Sequence, residues 1–303
     1  MSSSHLSVHF PTSARPTQIV HGNALRLLAE VPDDSVHLVV TDPPYFIDGM
    51  GDDWSHERLQ ERTARASVVG SLPVGMKFDP AQGRNFQAFM SAVAGEALRI
   101  LKPGGFFISF SQARLYHRMA VAVEDAGFEV RDMLGWKYEG QAKAFSMNHF
   151  VERAKHFSDD EKAEILRSLG GRKTPQLKPQ IEPMVLAQKP KDGTFVENWL
   201  RHETGLVDTT ASIDGKFPGN IMTVSKPSAL EKGSGNEHLT VKPVRLIEHL
   251  IRLFSKEGQV VVDPFLGSGT TALAARSCNR LFLGFEIERE YVRVAQRRLE
   301  TLQ

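Results

Sequence analysis

The strongest constraint in this chain is an apolar run stopped by an acid and two prolines. Val36 to Val40 reads as a short buried strand, and Thr41-Asp42-Pro43-Pro44-Tyr45 follows it directly. Proline has no N–H to give a sheet ladder and pushes the residue before it out of the helical region. The strand must end here, with Asp42 and Tyr45 fixed at its mouth. Open α/β sheets hold their ligands outside the carboxyl ends of their strands. Asp42, Pro43, Pro44 and Tyr45 are therefore candidate site residues. The plainer reading is an Asp-Pro turn after any buried strand.

A second apolar run ends in a similar way. Gln259-Val260-Val261-Val262 leads into Asp263-Pro264-Phe265-Leu266-Gly267-Ser268-Gly269-Thr270-Thr271, with a helix expected from about Thr271. Glycines let a backbone approach a ligand closely, and amides at a helix start suit an anionic group. A dinucleotide turn would need a third glycine where Ala272 stands, and a P-loop would need lysine after Gly269. Leu281 to Phe285 is the next strand and ends at Glu286. An acid roughly 20 residues past such a turn grips ribose hydroxyls in nucleoside-binding folds. Otherwise Glu286 is an ordinary acid at a helix start.

Between these turns the chain alternates strands and helices, which argues for a doubly wound sheet. Gln18 to Val20 reads as a strand, His21 to Asn23 as a turn and Ala24 to Glu30 as a helix that Asn23 can cap. Phe46 to Asp79 lacks periodicity, and a loop this long in a compact domain is functional, a surface insertion or disordered. Phe86, Phe89, Val93, Ala97 and Leu101 have helical spacing, ended by Lys102-Pro103-Gly104-Gly105 before a strand from Phe106 to Phe110. A further helix runs from Leu115 to Gly127, and Phe128 to Tyr138 reads as strand-turn-strand. Gly140 to Lys178 mixes clustered acids with basic residues, as a solvated helix does. Within it Lys143, Phe145, Asn148, His149 and the nearby Arg153 form the better nucleic-acid candidate. Pro179 to Lys189 reads as a strand. From Asp192 to Gly235 the chain turns irregular, and Val241-Lys242-Pro243 then leads into a helix through Leu246, Leu250 and Phe254.

Lys+Arg 37 against Asp+Glu 36 leaves bulk charge near zero, so any basic surface is a local patch. One cysteine, Cys278, excludes an intramolecular disulfide and a multi-cysteine metal site. No apolar run reaches the roughly 18 residues of a membrane span. The amino terminus has no signal-peptide core, so the expected location is the cytoplasm.

Asp42-Pro43-Pro44-Tyr45, the glycine turn after Asp263 and the order of the two resemble the β-class DNA amino-methyltransferases. The closing Gly284 to Tyr291 and the stretch His238 to Pro243 are similar as well, so the likeness covers nearly the whole chain. It implies one catalytic domain over 1–303 with a Rossmann-like methyltransferase fold, doubly wound, mostly parallel and circularly permuted. Its first two strands would come last in the chain. Insertions are expected at 46–85 (active-site loop), 141–178 (basic, helical) and 192–237 (target recognition).

The implied activity is transfer of a methyl group from S-adenosylmethionine to the N6 amine of adenine in double-stranded DNA. Cytosine-N4 is the alternative, and a non-catalytic DNA-binding module with a retained cofactor fold comes last. By resemblance, Asp42 and the Pro43 carbonyl accept the amine hydrogens while Tyr45 stacks on the flipped base. The implied cofactor contacts are Asn23, Asp42, Lys242, Asp263, Pro264, Phe265, Gly267, Ser268, Gly269, Thr270 and Glu286. A homodimer and a companion restriction endonuclease stay open as partners. Methylation at cytosine carbon would need a nucleophilic cysteine, and Cys278 stands between Ser277 and Asn279 on the helix after the glycine turn.

Overall fold

The structure is a computed structural model and describes residues 8–45, 80–142, 144–213, 215–232 and 241–301. The expected active-site loop from Phe46 to Asp79, Lys143 and His238 to Thr240 lie outside these residues.

The described residues build one eight-stranded sheet. Its strands are β1 (Thr17–His21), β2 (Val36–Thr41), β3 (Leu101–Phe110), β4 (Glu129–Lys137), β5 (Ile181–Gln188), β6 (Ile221–Thr223), β7 (Val260–Asp263) and β8 (Leu281–Glu286). The spatial order is β1-β8-β7-β2-β3-β5-β4-β6. Pairing is parallel from β1 to β3, and β5 runs antiparallel between β3 and β4. The last two long strands of the chain thus sit among the first ones, as the permuted arrangement requires. Val39 pairs with Val262, which brings the two Asp-Pro turns to one edge of the sheet.

Helices cover both faces. They are α1 (Ala24–Leu28), α2 (Pro80–Ile100), α3 (Tyr116–Asp125), α4 (Asn148–Arg153), α5 (Asp159–Leu169), α6 (Phe195–His202), α7 (Ala229–Lys232), α8 (Val244–Phe254), α9 (Thr270–Ser277) and α10 (Arg289–Glu300). The period-2 alternation of β2 divides its side chains between two cores. Leu38 and Val40 pack with Leu246, Leu250 and Phe254 of α8 and with Ala272 to Ala275 of α9. Val39 packs on the other face with Leu27 and Leu28 of α1, Phe86, Met90 and Val93 of α2, and Met119 of α3. Each such large side chain contributes about 1.5–3 kcal/mol by leaving water.

Three sequence expectations change. Phe128 to Tyr138 is a single strand, β4, and not strand-turn-strand. Its register slips between Val130 and Asp132, and this bulge breaks the alternation in a way that reads as a turn. Lys102 to Gly105 loops out of the ladder between the pairs Val36–Leu101 and Leu38–Phe106, so strand β3 already begins at Leu101. The segment from Asp192 is not wholly irregular. Thr194 and Glu197 form a capping box that starts α6.

Asn198 on α6 is fully buried and donates to the Pro103 and Thr204 carbonyls at 3.1 and 2.9 Å. Gln259, just before β7, donates to the Glu203 carbonyl at 2.8 Å. Residues 192–205 are therefore tied to the amino edge of the parallel strands, opposite Asp42. The later part of the expected recognition segment does reach the catalytic edge, where β6 pairs with the last residues of β4, Gly135 to Lys137.

The 141–178 insertion leaves from the end of β4 and returns into β5 at that same edge. Its two stems meet tightly, and a Cβ on Gly140 would overlap the Pro179 carbonyl oxygen. Further out, Phe145 accepts from the Thr174 amide at 3.0 Å and its own amide donates to Thr174 Oγ1 at 2.9 Å. Helix α5 starts with a capping box of Ser158 and Glu161 and buries no residue, as a solvated mixed-charge helix should.

Candidate active site

Asp42 leaves β2 just past Thr41, and the prolines turn the chain back so that Tyr45 closes on it. The Tyr45 hydroxyl donates to Asp42 Oδ1 at 2.5 Å. The Tyr45 ring lies 6.1 Å from that of Phe86 on α2. Burial first, then the negative charges of Asp42 and Glu182, push the Tyr45 phenol well above its ordinary pKa. Tyr45 is thus a neutral donor held on the carboxylate.

The other oxygen, Asp42 Oδ2, accepts from Lys242 in a short ion pair. Lys242 is only 7% exposed and also reaches Glu182 Oε1 at 3.1 Å. Its ammonium sits 4.8 Å from the centre of the Phe110 ring. Burial opposes its charge, yet Asp42 and Glu182 together hold its pKa above the usual lysine value. Burial pushes the Glu182 carboxyl up and Asp42 adds to this, while Lys242 pulls it down. The resemblance placed Lys242 among the cofactor contacts; its tertiary position is on the candidate catalytic carboxylate. Sequence reasoning missed Glu182. The available signal was an acid in the otherwise apolar strand Ile181 to Ala187.

Asp263 also departs from its expected role. Its carboxylate accepts from Thr41 Oγ1 at 2.7 Å, from the Phe265 amide at 3.0 Å and from Thr271 Oγ1 at 2.6 Å. It is buried, and burial raises its pKa to about 6 against these three donors. Protein groups occupy this side chain, and its work is to join the end of β2, the glycine turn and α9. Pro264 is buried, and the half-buried Phe265 ring lies 5.6 Å from that of Phe89.

The turn itself has backbone that only glycine adopts easily, with φ of +54° at Gly267 and +91° at Gly269. The reason for Gly269 differs from the one expected. Its missing side chain makes room for protein, because a Cβ there would lie 2.6 Å from that of Ala295 on α10. The buried Arg298 of α10 supports the turn from behind. It donates to the Ser268 carbonyl at 2.7 Å, to Ser268 Oγ at 3.2 Å and to Thr270 Oγ1 at 3.3 Å.

At the end of β8, Glu286 accepts from the Gly267 amide at 2.7 Å and from the Glu288 amide at 2.9 Å. Burial drives its carboxyl up to about 7, although both amides favour the charged form. Each carboxylate oxygen can accept a second donor. A buried acid only half supplied with donors fits a vicinal diol such as that of a ribose. The Gly267 amide links this acid to the glycine turn, so the two candidate parts of the site are in contact. Asn23 caps α1, its side chain accepting from the Arg26 amide at 3.3 Å.

On the insertion, Phe145 and Phe150 are about half exposed, and Asn148, His149 and Arg153 all face solvent. The rings of His149 and Phe150 meet edge-on at 6.0 Å. These residues are carried by the insertion whose stems leave β4 and enter β5 at the edge where Asp42 stands. Among the described residues no helix is long and apolar enough to cross a membrane, and no cluster of His, Cys, Asp and Glu could hold a metal ion.

The chain is similar to known DNA methyltransferases. The type II methyltransferase M.HindIII of Haemophilus influenzae is 30% identical over 303 residues, covering 93% of this chain and 94% of that protein. Among solved structures, the PvuII DNA methyltransferase (cytosine-N4-specific) superposes with a TM-score of 0.61 at 18% identity, over 95% of this chain and 88% of that one. The M1.HpyAVI–SAM complex does so with 0.56 at 21% identity, over 93% and 98%. The N6/N4 methyltransferase family of DNA methylases matches residues 36–297. The match includes Asp42, Lys242, the glycine turn and Glu286, and the chain belongs to that family.

Proposed function

We propose that this protein is a site-specific DNA methyltransferase that methylates the N6 amine of adenine in double-stranded DNA, with S-adenosylmethionine as methyl donor. The observation that carries the reading is the carboxylate of Asp42, held by Tyr45 and Lys242 beside a glycine turn and a half-supplied ribose acid. When bound, the cofactor supplies an electrophilic methyl group on a sulfonium. Glu286 would accept its ribose hydroxyls, the start of α9 would face its methionine carboxylate, and Asn23 would lie toward its adenine.

An exocyclic amine is a poor nucleophile, because its lone pair is delocalised into the ring. Asp42 and the Pro43 carbonyl accept its two hydrogens and so favour a pyramidal nitrogen. The Tyr45 hydroxyl now occupies Asp42 Oδ1, and the target amine takes its place when the base arrives. The acceptors stand on a proline-stiffened turn, so little reorganisation is needed as charge develops. The base reaches them by flipping, at a cost of a few kcal/mol, and stacking on Tyr45 returns about 1–3 kcal/mol.

DNA is gripped by Lys143, Phe145, Asn148, His149 and Arg153, and the recognition role narrows to residues 215–232, which share the catalytic edge. Asp-Pro-Pro-Tyr is commoner among adenine enzymes, which favours adenine. The PvuII enzyme, named as cytosine-N4-specific, keeps cytosine-N4 as the second reading. A companion nuclease with the same target site is the partner suggested by the type II relative. Tritium transfer from labelled cofactor to DNA tests the activity. Long-read sequencing of DNA from cells expressing the protein reads base and target site together. Absence of methylated DNA in both would overturn the proposal.

A further inference from the structure

We infer that Glu182 sets the charge that Asp42 presents to the target amine, acting through Lys242 as a positioning residue. The inference rests on the proposed role of Asp42. Lys242 Nζ bridges Asp42 Oδ2 and Glu182 Oε1. The lysine side chain is 7% exposed, and the two carboxylate side chains are 18% and 20% exposed. Two carboxylates around one ammonium leave the cluster with a net charge of −1.

Amine attack builds positive charge on nitrogen. A fixed net negative cluster beside it lowers the energy of that charge, and a neutral one does not. Without Glu182, Asp42 and Lys242 would form a neutral pair, with the acceptor strength of Asp42 directed into the ammonium. An ammonium has three donors, and Glu182 takes one of them. Lys242 can then hold Asp42 in place without cancelling the charge of the site.

The groups that face Glu182 are Lys242 and Asp42 across the cluster and Lys226 from the segment after β6. Tyr45 and Tyr138 also feel its charge, the first from the Asp-Pro-Pro-Tyr turn and the second from just past β4. Burial raises the Glu182 carboxyl above its ordinary range, Asp42 adds to the rise and Lys242 opposes it. As pH falls through that range, the cluster passes from −1 to neutral and methyl transfer should slow. The transfer rate would thus follow a carboxyl group that does not touch the substrate.

The test is Glu182→Gln, which keeps size and hydrogen bonding but not charge, with Glu182→Asp as the conservative variant. Single-turnover methylation at saturating cofactor should slow by roughly tenfold in Glu182→Gln. Cofactor affinity and the fluorescent-base flipping signal should stay within about twofold. The acid limb of the rate should move to lower pH, and Glu182→Asp should restore part of the rate. Asp263 and Glu286 titrate in both proteins alike, so the difference between the profiles reports Glu182. In cofactor-free protein, 15N NMR should show the Lys242 ammonium losing its proton at lower pH in Glu182→Gln. A wild-type rate and acid limb, an unchanged Lys242 titration, or equal losses of cofactor binding and rate would each overturn the inference. Asp42→Ala run alongside separates the two failures. If it is inactive while Glu182→Gln behaves as wild type, only the role of Glu182 falls. If Asp42→Ala is active, the reading of Asp42 falls and this inference with it.

Discussion

Thr41 donates its hydroxyl to Asp263 Oδ1 at 2.7 Å, across 222 residues of sequence. The residue just before the candidate catalytic acid is thereby fastened to the acid that opens the glycine turn. Parallel pairing of β2 with β7 makes this bond possible. It fixes the distance between the group that would bind the amine and the turn that would bind the methyl donor.

Thr41→Val keeps the shape of the side chain and removes that donor. Leaving a buried acceptor short of a partner costs about 1–3 kcal/mol. The folded-state pKa of Asp263 is about 6, above its ordinary value of 3.8. A raised carboxyl pKa weakens the folded state once pH exceeds it, and the penalty disappears below the unfolded value. Loss of the Thr41 bond raises this pKa further. Chemical denaturation should therefore find Thr41→Val clearly destabilised at pH 8, and less so as pH falls through 6 toward 4.

Cofactor affinity should depend on pH through Glu286. Its carboxyl titrates at about 7 because of burial, and ribose hydroxyls donate best to the ionised form. Affinity for S-adenosylhomocysteine, read by calorimetry, should fall as pH drops below 7, by up to about tenfold per pH unit. Glu286→Gln should bind weakly with little pH dependence. A steep profile that survives in this variant would assign the titration to another group.

Asp42→Ala should lower the single-turnover rate on the order of a hundredfold or more. Its effect on DNA and cofactor binding should be far smaller, because the contact strengthens as nitrogen pyramidalises. Tyr45→Ala should impair both flipping and turnover. Tyr45→Phe should retain most of the flipping signal, since it keeps the ring face and frees Asp42 Oδ1.

DNA binding should weaken steeply with salt. Removing one cation from a DNA phosphate should flatten the log–log slope by about 0.9. Neutralising Lys143 and Arg153 together should flatten it measurably, whereas a change at Arg201, on α6 at the opposite edge, should leave it intact. An unchanged slope in the double variant would move the DNA surface away from the 141–178 insertion.

The sequence by itself determined the two strand-acid-proline turns. It did so because proline and glycine impose local backbone geometry whatever surrounds them. Val36 to Val40, Val260 to Val262 and Leu281 to Phe285 were legible as strands, since continuous apolar runs have nowhere to go but a core. The permuted order of the sheet was legible only through the family resemblance that the two motifs and their order carry. Packing partners were not legible. Lys242 reads as one basic residue in a loop, and only the meeting of β2, β5 and the segment before α8 places it between Asp42 and Glu182. The same holds for Asp263, which looks like a ligand contact until Thr41 and Thr271 are seen to occupy it. Gly269 looks like a ligand contact too, until Ala295 explains it. Local propensity acts over a few residues, whereas burial and charge pairing depend on which distant segments the sheet order brings together. That is why the chain announced its chemistry in two short motifs and left the charge of its site to the tertiary structure.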